Sequence, residues 1–300
     1  MVLIPPLWKT IHSSAFPNRL HDLVAQDDGT YNVILEFGNN ERYPRVANID
    51  VKGELNWFSN GYTLPFVKSL GKWRIWPPLS SAFEWPNITN KVNNAPPMWA
   101  VGERVPTVRG AAIPGGGMYL AGTFTAFTKS GPLDGLRPHV GWLAHIDAKG
   151  KNWLDPKTRK WLKEFGHETK SSAAREYQVR DVAVVGPKHD ALVGGFEQEC
   201  NNSRKCEPPN ATLSRWSIDG KLLWKKTLTD GGVSREVLAV GALPGGDLVI
   251  GGQAKVLGVL RPWLRRVSAF GTLIEDRVLS GKGWVRSFVA DKGDSLLVTG

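Results

Sequence analysis

Short runs of alternating apolar and polar residues, separated by turns that contain Gly and Asp, recur along the chain. Runs of this period predict β-strands with one buried face. The clearest example is Leu213–Lys226, where a strand, an Asp-Gly turn and a second strand carrying Trp224 follow one another. The core of this pattern recurs at residues 49–57 and 146–153. A fragment that recurs within one chain indicates a repeated structural unit.

The strands group into units of roughly 50 residues, the length of one four-stranded blade. These blade-like units span residues 21–64, 107–154, 177–228, 233–279 and 283–300. We therefore predict a single all-β domain over residues 1–300, a β-propeller of about five to six four-stranded blades. Residues 2–11 resemble the outer part of a unit. Two alternatives stay open: this N-terminal strand closes the last blade, or the chain is truncated at its C-terminus.

Two stretches interrupt the repeat. Residues 58–106 are rich in Trp and Pro, and proline is excluded from central strands. The segment is either an ordered insertion whose tryptophans bind a ligand or a degenerate blade whose tryptophans fill its own small core. Residues 155–176 are polar and basic and are expected to form a short helix or a loop. The candidate ligand-binding residues of the first stretch are Trp73, Trp76, Trp85 and Trp99.

Asp, Gly and Trp recur together in three units, and we predict structural roles for all of them. An Asp side chain accepts hydrogen bonds from backbone N–H groups two residues on, and Gly supplies the positive φ of the hairpin. The Trp is expected to pack between neighbouring sheets. In the fourth unit, Phe270 replaces the turn Asp and the closing Trp is missing. The residues concerned are Asp50, Gly53 and Trp57, then Asp147, Gly150 and Trp153, then Asp219, Gly220 and Trp224.

The glycine pairs at 194–195 and 251–252 are predicted to end a strand where blades crowd together or a bulge is needed. Each pair closes the motif Val-x-x-Val-x-x-x-Gly-x-Leu-Leu-Val-x-Gly, and the motif Leu-x-Arg-x-Ser/Asn-x-Asp-Gly-x-x-x-Trp follows it. Together they resemble bacterial β-propeller repeats of the SBBP and delta-60 types and are similar to PQQ-like propellers. The resemblance covers a little over half of the chain, at residues 23–57, 108–154, 179–226, 237–275 and 285–300. It implies an exported binding or scaffold module and supplies no catalytic residues.

The chain carries a net charge of +10. This charge favours an acidic partner such as an anionic glycan, lipopolysaccharide, nucleic acid or a membrane surface. The alternative is a solvated basic surface without a specific ligand. No nucleic-acid-binding motif accompanies the charge, so an anionic glycan or a protein is the better candidate partner. No apolar run approaches the roughly 18 residues of a membrane span.

Cys200 and Cys206 are the two cysteines, and they lie in a polar loop that ends in Pro-Pro. This spacing suits a local disulfide that closes the tip of a hairpin in an oxidising compartment. Two free thiols in a cytosolic loop are the alternative, whereas a metal site would need further ligands. No signal peptide is visible at the N-terminus. We therefore expect an extracytoplasmic protein whose signal lies outside this chain or has been removed.

No motif in the sequence assigns catalysis. The six histidines form no metal-binding pair, and no Gly-x-Ser-x-Gly elbow occurs. We therefore predict no metal, no cofactor and a non-enzymatic binding or scaffold module, with an anionic glycan as its expected ligand. The alternative is a carbohydrate-active or quinone-dependent enzyme with its site in the propeller funnel. Such a site is assembled from several blade loops and leaves no local motif.

Overall fold

The computed structural model describes residues 19–37, 43–59, 67–69, 72–74, 108–125, 139–148, 162–165, 168–170, 173–201, 205–228, 233–290 and 296–300. All regular secondary structure in these ranges is β-strand, so the prediction of an all-β fold is confirmed. The strands form antiparallel sheets whose order follows the order of the chain.

The first sheet contains β1 (Arg19–Ala25), β2 (Tyr31–Phe37), β3 (Tyr43–Ile49) and β4 (Leu55–Ser59). A short pair follows, β5 (Val67–Ser69) and β6 (Lys72–Arg74). The second sheet contains β7 (Val108–Ala112), β8 (Met118–Thr125), β9 (His139–Ile146) and β10 (Leu162–Phe165).

The third sheet has five strands, β11 (Glu168–Lys170), β12 (Ala173–Val185), β13 (Asp190–Asn201), β14 (Asn210–Trp216) and β15 (Leu222–Leu228). The fourth contains β16 (Ser234–Ala242), β17 (Leu248–Val256), β18 (Val259–Val267) and β19 (Leu273–Val278). The last pair is β20 (Ser287–Ala290) and β21 (Leu296–Thr299).

One boundary differs from the sequence prediction. The fourth strand of the second sheet, β10, lies at Leu162–Phe165 and pairs with β9. The sequence prediction ends this unit at residue 154 and assigns residues 155–176 to a short helix or a loop. An edge strand is held by backbone hydrogen bonds on one side only, so it needs no strict alternation of side chains. The polar composition of this stretch therefore gave no strand signal.

The chain divides into two compact units. The first consists of residues 1–105, 112–118 and 145–161, and the second of residues 106–111, 119–144 and 162–300. In the first unit, buried Ile34, Val46 and Ile49 form part of the hydrophobic core. Two buried asparagines accompany them, and Asn48 Nδ2 donates to Asn32 Oδ1 at 2.8 Å. This pair satisfies polar groups that would otherwise be costly to bury.

In the second unit, the third and fourth sheets pack on each other. Strand β16 contacts β12, β13 and β14. Gly194 permits this approach, because a Cβ there would overlap Val240 and lie 2.6 Å from Cγ1 of Val237. The shared core consists of Val185, Leu192, Ala211, Leu213, Leu228, Val237, Val240, Leu248, Ile250, Ala254, Trp263 and Val267.

The outer hairpins share one turn geometry, which corrects part of the sequence prediction. In the first sheet, Asp50 Oδ1 accepts from the backbone N–H groups of Lys52 and Glu54, both at 2.8 Å. Gly53 has a φ of 80° and closes the turn by donating its N–H to the carbonyl of Asp50. The prediction for Asp50 and Gly53 is therefore confirmed. Asp147 directly follows β9, whereas Gly150, Trp153 and the side chain of Trp57 lie outside the described residues.

In the third sheet, the hydrogen-bonding role predicted for Asp219 belongs to Ser217. Ser217 Oγ accepts from the N–H of Lys221 at 3.1 Å, and Gly220 donates to the carbonyl of Ser217 at 2.8 Å. Asp219 lies exposed two residues further on. The predicted alignment of Asp219 with Asp50 was therefore shifted by two residues.

The same correction applies to the fourth sheet. Ser268 Oγ accepts from the N–H groups of Phe270 and Thr272, at 3.3 and 3.2 Å. Phe270 therefore does not stand in for the turn Asp, because Ser268 already fills that position. Trp224 on β15 donates its indole N–H to the carbonyl of Ala269 at 3.3 Å. Its ring thus lies between the third and fourth sheets, as predicted for the Trp of the repeat.

The glycine pairs lie inside strands β13 and β17, and not at strand ends as predicted. The predicted crowding and bulge are both present. A Cβ on the second glycine would overlap a carbonyl oxygen of the preceding strand. The overlapping residues are Gly195 with Gln178 and Gly252 with Glu236. The single Gly300 would overlap the carbonyl oxygen of Trp284 in the same way.

His145, in the first unit, is predicted to make stability depend on pH. Its side chain is buried, and burial lowers its pKa from 6.5 to about 4, although Asp147 partly opposes the shift. Between these two values the unfolded chain binds more protons than the folded chain, so stability falls as the pH is lowered through this window. We expect a loss of about 2 kcal/mol between about pH 7 and pH 5 from this group.

Urea unfolding at the two pH values measures the effect. The variant His145→Gln does not titrate, and its loss of stability between these pH values should be smaller by that amount. Equal losses in the parent and the variant would contradict the assignment.

Candidate functional site

The first long strand of the third sheet, β12, contains a bulge. Val179 pairs with Gly195, and Asp181 pairs with the adjacent Gly194, so Arg180 between them has no partner on β13. A bulge leaves its extra residue out of the ladder and redirects that side chain. Gly195 opposite allows it, because a Cβ there would overlap the carbonyl oxygen of Gln178 in the bulged strand.

The fourth sheet and the last pair of strands repeat this geometry. Strand β16 has a bulge at Leu238, opposite the glycine pair of β17. In the last pair, a Cβ on Gly300 would overlap the carbonyl oxygen of Trp284, two residues before Arg286. In the fourth sheet, a Cβ on Gly252 would overlap the carbonyl oxygen of Glu236, two residues before Leu238. Arg286 therefore occupies the position that Leu238 occupies in β16.

The three bulge positions lie at corresponding places on neighbouring strands. Strand β16 contacts both β12 and β20. Asp181 Oδ2 accepts from the N–H of Val240 at 2.8 Å, which links the bulges of β12 and β16. Val285 N–H donates to the carbonyl of Gly252 at 2.9 Å, which links β17 to the segment before β20. Arg180, Leu238 and Arg286 therefore follow one another across adjacent strands.

Arg109 holds the same place in the sequence of the second sheet, directly after the buried Val108 at the start of β7. Thr123 on β8 accepts the N–H of Val179 at 2.9 Å, so this sheet is also bonded to the bulge of β12. We call Arg109, Arg180 and Arg286 the arginine row.

Arg180 has an unusual environment for a cation. Its guanidinium lies over the ring of Phe196, 5.1 Å from the centroid. Its Nε is buried without a hydrogen-bond partner in the described part of the chain. Burial lowers the pKa of Arg180, the nearby carboxylate of Glu236 raises it, and the second guanidinium of Arg286 lowers it. A partly buried guanidinium with one N–H left without an acceptor is costly to the fold.

Arg286 and Trp284 continue the same surface. The Arg286 guanidinium lies 5.4 Å from the centroid of the Trp284 ring, and Trp284 is 41% exposed. Glu236 is held by Gln253, whose Nε2 donates to Glu236 Oε2 at 3.0 Å. The neighbourhood of Arg180 thus offers a second guanidinium and an exposed aromatic face.

A polar cluster adjoins Arg180 through the cross-strand pair of Gln178 and Phe196. His139 Nδ1 lies 3.1 Å from Glu176 Oε2, and Gln178 Nε2 lies 3.4 Å from the same ring nitrogen. Gln198 Nε2 donates to Glu176 Oε2 at 3.1 Å. Imidazole, carboxylate and amide groups here can bind the hydroxyl groups of a polar ligand.

The sequence predicted other residues for ligand binding. Trp76, Trp85 and Trp99 lie outside the described residues. Trp73 belongs to β6, opposite Lys68, and its side chain is also outside them. Their role in binding remains a prediction.

Cys200 and Cys206 are joined in a disulfide that closes the loop between β13 and β14. The backbones of the same two residues also form an isolated antiparallel β-bridge. The predicted local disulfide is therefore present in the structure.

Sequence reasoning missed the arginine row. The available signal was a repeated Val-Arg dipeptide at the start of three units, at residues 108–109, 179–180 and 285–286. Val followed by Arg fits a simple alternation with one buried face, so each dipeptide by itself carries no signal. Only its recurrence at equivalent places in three units, with a Gly on the opposite strand, marks these positions.

The described residues contain no group of three or more His, Cys, Asp and Glu side chains able to hold a metal ion. They also contain no helix long and apolar enough to cross a membrane.

Fold and site together define an all-β protein of repeated antiparallel sheets, with bulges at Arg180 and Leu238. No family model matches the chain, and no curated protein sequence is significantly similar to it. Among solved structures, a protein of unknown function from Dyadobacter fermentans aligns with a TM-score of 0.52 at 11% identity. The alignment covers 91% of this chain and 71% of that one, and it supports a shared fold alone.

A second structure, a protein of unknown function from Bacteroides caccae, aligns with a TM-score of 0.41 at 12% identity. The alignment covers 87% of this chain but spans only 62% of that protein.

Proposed function

We propose that this protein is a β-propeller that acts outside the cytoplasm as a non-enzymatic binding or scaffold module for an anionic polysaccharide. The observation that carries the proposal is the arginine row, in which the partly buried guanidinium of Arg180 stacks on Phe196 and lies close enough to Arg286 for the two charges to interact. Two cations held near each other are expected where a ligand supplies negative charge.

The propeller interpretation rests on how the sheets follow one another. Each of the four larger sheets is an antiparallel meander in chain order, as in a propeller blade. The third and fourth sheets pack face to face, and their first long strands, β12 and β16, lie side by side. In a propeller, the first strands of successive blades line the central channel, so residues that recur at their bulges would face one common space.

The charge of the protein supports an anionic ligand. The excess of Lys and Arg over Asp and Glu gives a net charge of +10, which attracts polyanions over long distances. Guanidinium groups bind carboxylate and sulfate in a bidentate manner. The exposed face of Trp284 beside Arg286 provides a surface on which a sugar ring can stack.

Binding to a panel of polysaccharides tests the proposal. We expect the protein to be retained on heparin and to be retarded in affinity gels that contain polygalacturonate, alginate or a sulfated glycan. Neutral dextran and cellulose should have no effect. Because screening weakens charge–charge attraction, binding should weaken as salt is raised toward about 1 M. Equal behaviour with neutral and anionic glycans, or no binding to either, would contradict the proposal.

A polysaccharide lyase acting on uronates is the second candidate, because His139 and Glu176 lie 3.1 Å apart beside the arginine row. In this reaction an arginine neutralises the uronate carboxylate and thereby acidifies the proton on C5. A base removes that proton, the bond between C4 and the glycosidic oxygen breaks, and the departing oxygen takes up a proton. Incubation with polyuronates distinguishes the two functions, since only a lyase produces the ultraviolet absorbance of a C4–C5 unsaturated sugar.

A further inference from the structure

We propose that Arg180 and Arg286, together with the ring of Trp284, form the subsite that binds one carboxylate-bearing sugar of the ligand. This inference rests on the proposed function and specifies where, and by which chemical group, the polysaccharide is recognised. The carboxylate of a uronate would lie between the two guanidinium groups, and the sugar ring would stack on Trp284.

The geometry of the bulges brings these groups together. Arg180 and Arg286 occupy equivalent bulge positions on either side of Leu238. Strand β16 lies between them and contacts both β12 and β20. Each guanidinium can donate two parallel hydrogen bonds to a carboxylate, so one anion placed across Leu238 would accept from both.

The side chains around the two arginines leave their charge available. Phe196 supports the Arg180 guanidinium from one side by a cation–π contact. Glu236, the nearby carboxylate that acts on Arg180, already accepts a hydrogen bond from Gln253. Two neighbouring cations repel each other, so an incoming carboxylate that pairs with both guanidinium groups also relieves that repulsion.

A purely structural role for Arg180 predicts the opposite stability effect. Arginines that hold the fold together here have acidic partners, as Arg215 has in Asp190 at 2.8 Å. Removing such an arginine would destabilise the fold. Removing Arg180 instead eliminates a partly buried cation that both desolvation and the neighbouring Arg286 disfavour. The variant Arg180→Gln should therefore unfold at the same temperature as the parent or at a higher one.

The experiment measures affinity for a purified galacturonate hexamer by isothermal titration calorimetry at fixed salt. We expect Arg180→Gln to lose about tenfold or more in affinity and Arg286→Gln about threefold to tenfold. Trp284→Ala should lose about fivefold while keeping the salt dependence of the parent, because it removes stacking and no charge. Arg277→Gln is the matched control, because Arg277 is exposed and pairs with Glu275 on β19. It should stay within about twofold of the parent.

The outcomes separate this inference from the proposed function. If the parent binds no anionic oligosaccharide, the proposed function fails and the subsite with it. If the parent binds but Arg180→Gln and Arg277→Gln lose equal affinity, binding is through diffuse charge and only the subsite is overturned. Preferential binding of a sulfated hexamer that is insensitive to Arg180→Gln also overturns the subsite. A stable Arg180→Gln variant with selectively lost uronate binding supports it.

Discussion

Replacing Gly195 with alanine is expected to destabilise the protein by at least about 3 kcal/mol, at the upper end of the cost of overpacking. A Cβ at this position would overlap the carbonyl oxygen of Gln178, and it would lie 3.1 Å from Cα of Val179. Both contacts are backbone atoms, which cannot rotate away as a side chain could. The bulge of β12 would have to open, and with it the hydrogen bond from Val179 to Thr123.

Gly246→Ala is the control for this prediction. Gly246 has a φ of 91°, and an added Cβ would meet nothing within 4 Å. It should therefore cost only the strain of a positive φ, about 1 to 2 kcal/mol. Gly252→Ala should behave like Gly195→Ala, because it meets the carbonyl of Glu236 in the same way. Urea unfolding of the three variants measures the difference, and equal costs at 195 and 246 would show that the bulge does not press on the glycine.

The same glycine contact explains why the sequence revealed the scaffold better than the site. Alternation and turn residues predicted the strands of the third and fourth sheets, because each of these strands has one buried face. The glycine pairs signalled crowding or a bulge. They could not indicate which residue of the opposite strand was extruded, since that depends on the pairing register. The sequence therefore does not distinguish Arg180 from the other polar positions of the strand.

The turn residues show a second limit of sequence reading. Asp50 and Ser217 perform the same role with different side chains, since a carboxylate and a hydroxyl oxygen can each accept a backbone N–H. An alignment that matches only Asp residues therefore pairs Asp50 with Asp219, which lies two residues after Ser217, the true equivalent of Asp50. The spacing to the following Trp is seven residues from Asp50 to Trp57 and from Ser217 to Trp224, and this spacing identifies the correct partner.

The assembly of the candidate site depends on contacts between sheets, which no local pattern encodes. His139 and Glu176 belong to different sheets, and so do Arg180 and Arg286. Their proximity follows from packing between strands far apart in sequence. A recurring dipeptide at equivalent places in successive units is the one sequence feature that anticipates such a row, because equivalent positions of stacked repeats lie side by side.

A buried network on the fourth sheet leads to the second large effect, expected for Asp276. Its carboxylate accepts from Trp263 Nε1 at 2.6 Å, Arg265 Nε at 3.1 Å and Arg235 Nη1 at 2.8 Å. The side chains of Arg235 and Arg265 are only 7% and 4% exposed, whereas that of Asp276 is 24% exposed. Asp276 is thus the anion that two buried guanidinium groups share.

Asp276→Asn is expected to lower the free energy of unfolding by about 2 to 3 kcal/mol. The substitution keeps the shape of the side chain but leaves the two buried cations without their shared anion. The value is below that of a fully buried ion pair, because the partial exposure of Asp276 lets solvent screen the interaction. The control is Asp247→Asn, since Asp247 pairs with Arg266 at 2.7 Å on a more exposed surface. It should cost less than about 1 kcal/mol.

Acid unfolding provides an independent measurement of the same network. Burial tends to raise the pKa of Asp276, but the hydrogen bonds from Arg265, Trp263 and Arg235 outweigh it and lower the pKa below its ordinary 3.8. A carboxylate with a lowered folded-state pKa stabilises the fold above its unfolded pKa, and this contribution is lost as the pH falls through the folded value. The parent should therefore lose stability below about pH 4 more steeply than Asp276→Asn does. Parallel acid profiles of the two proteins would mean that Asp276 does not carry the charge that holds Arg235 and Arg265.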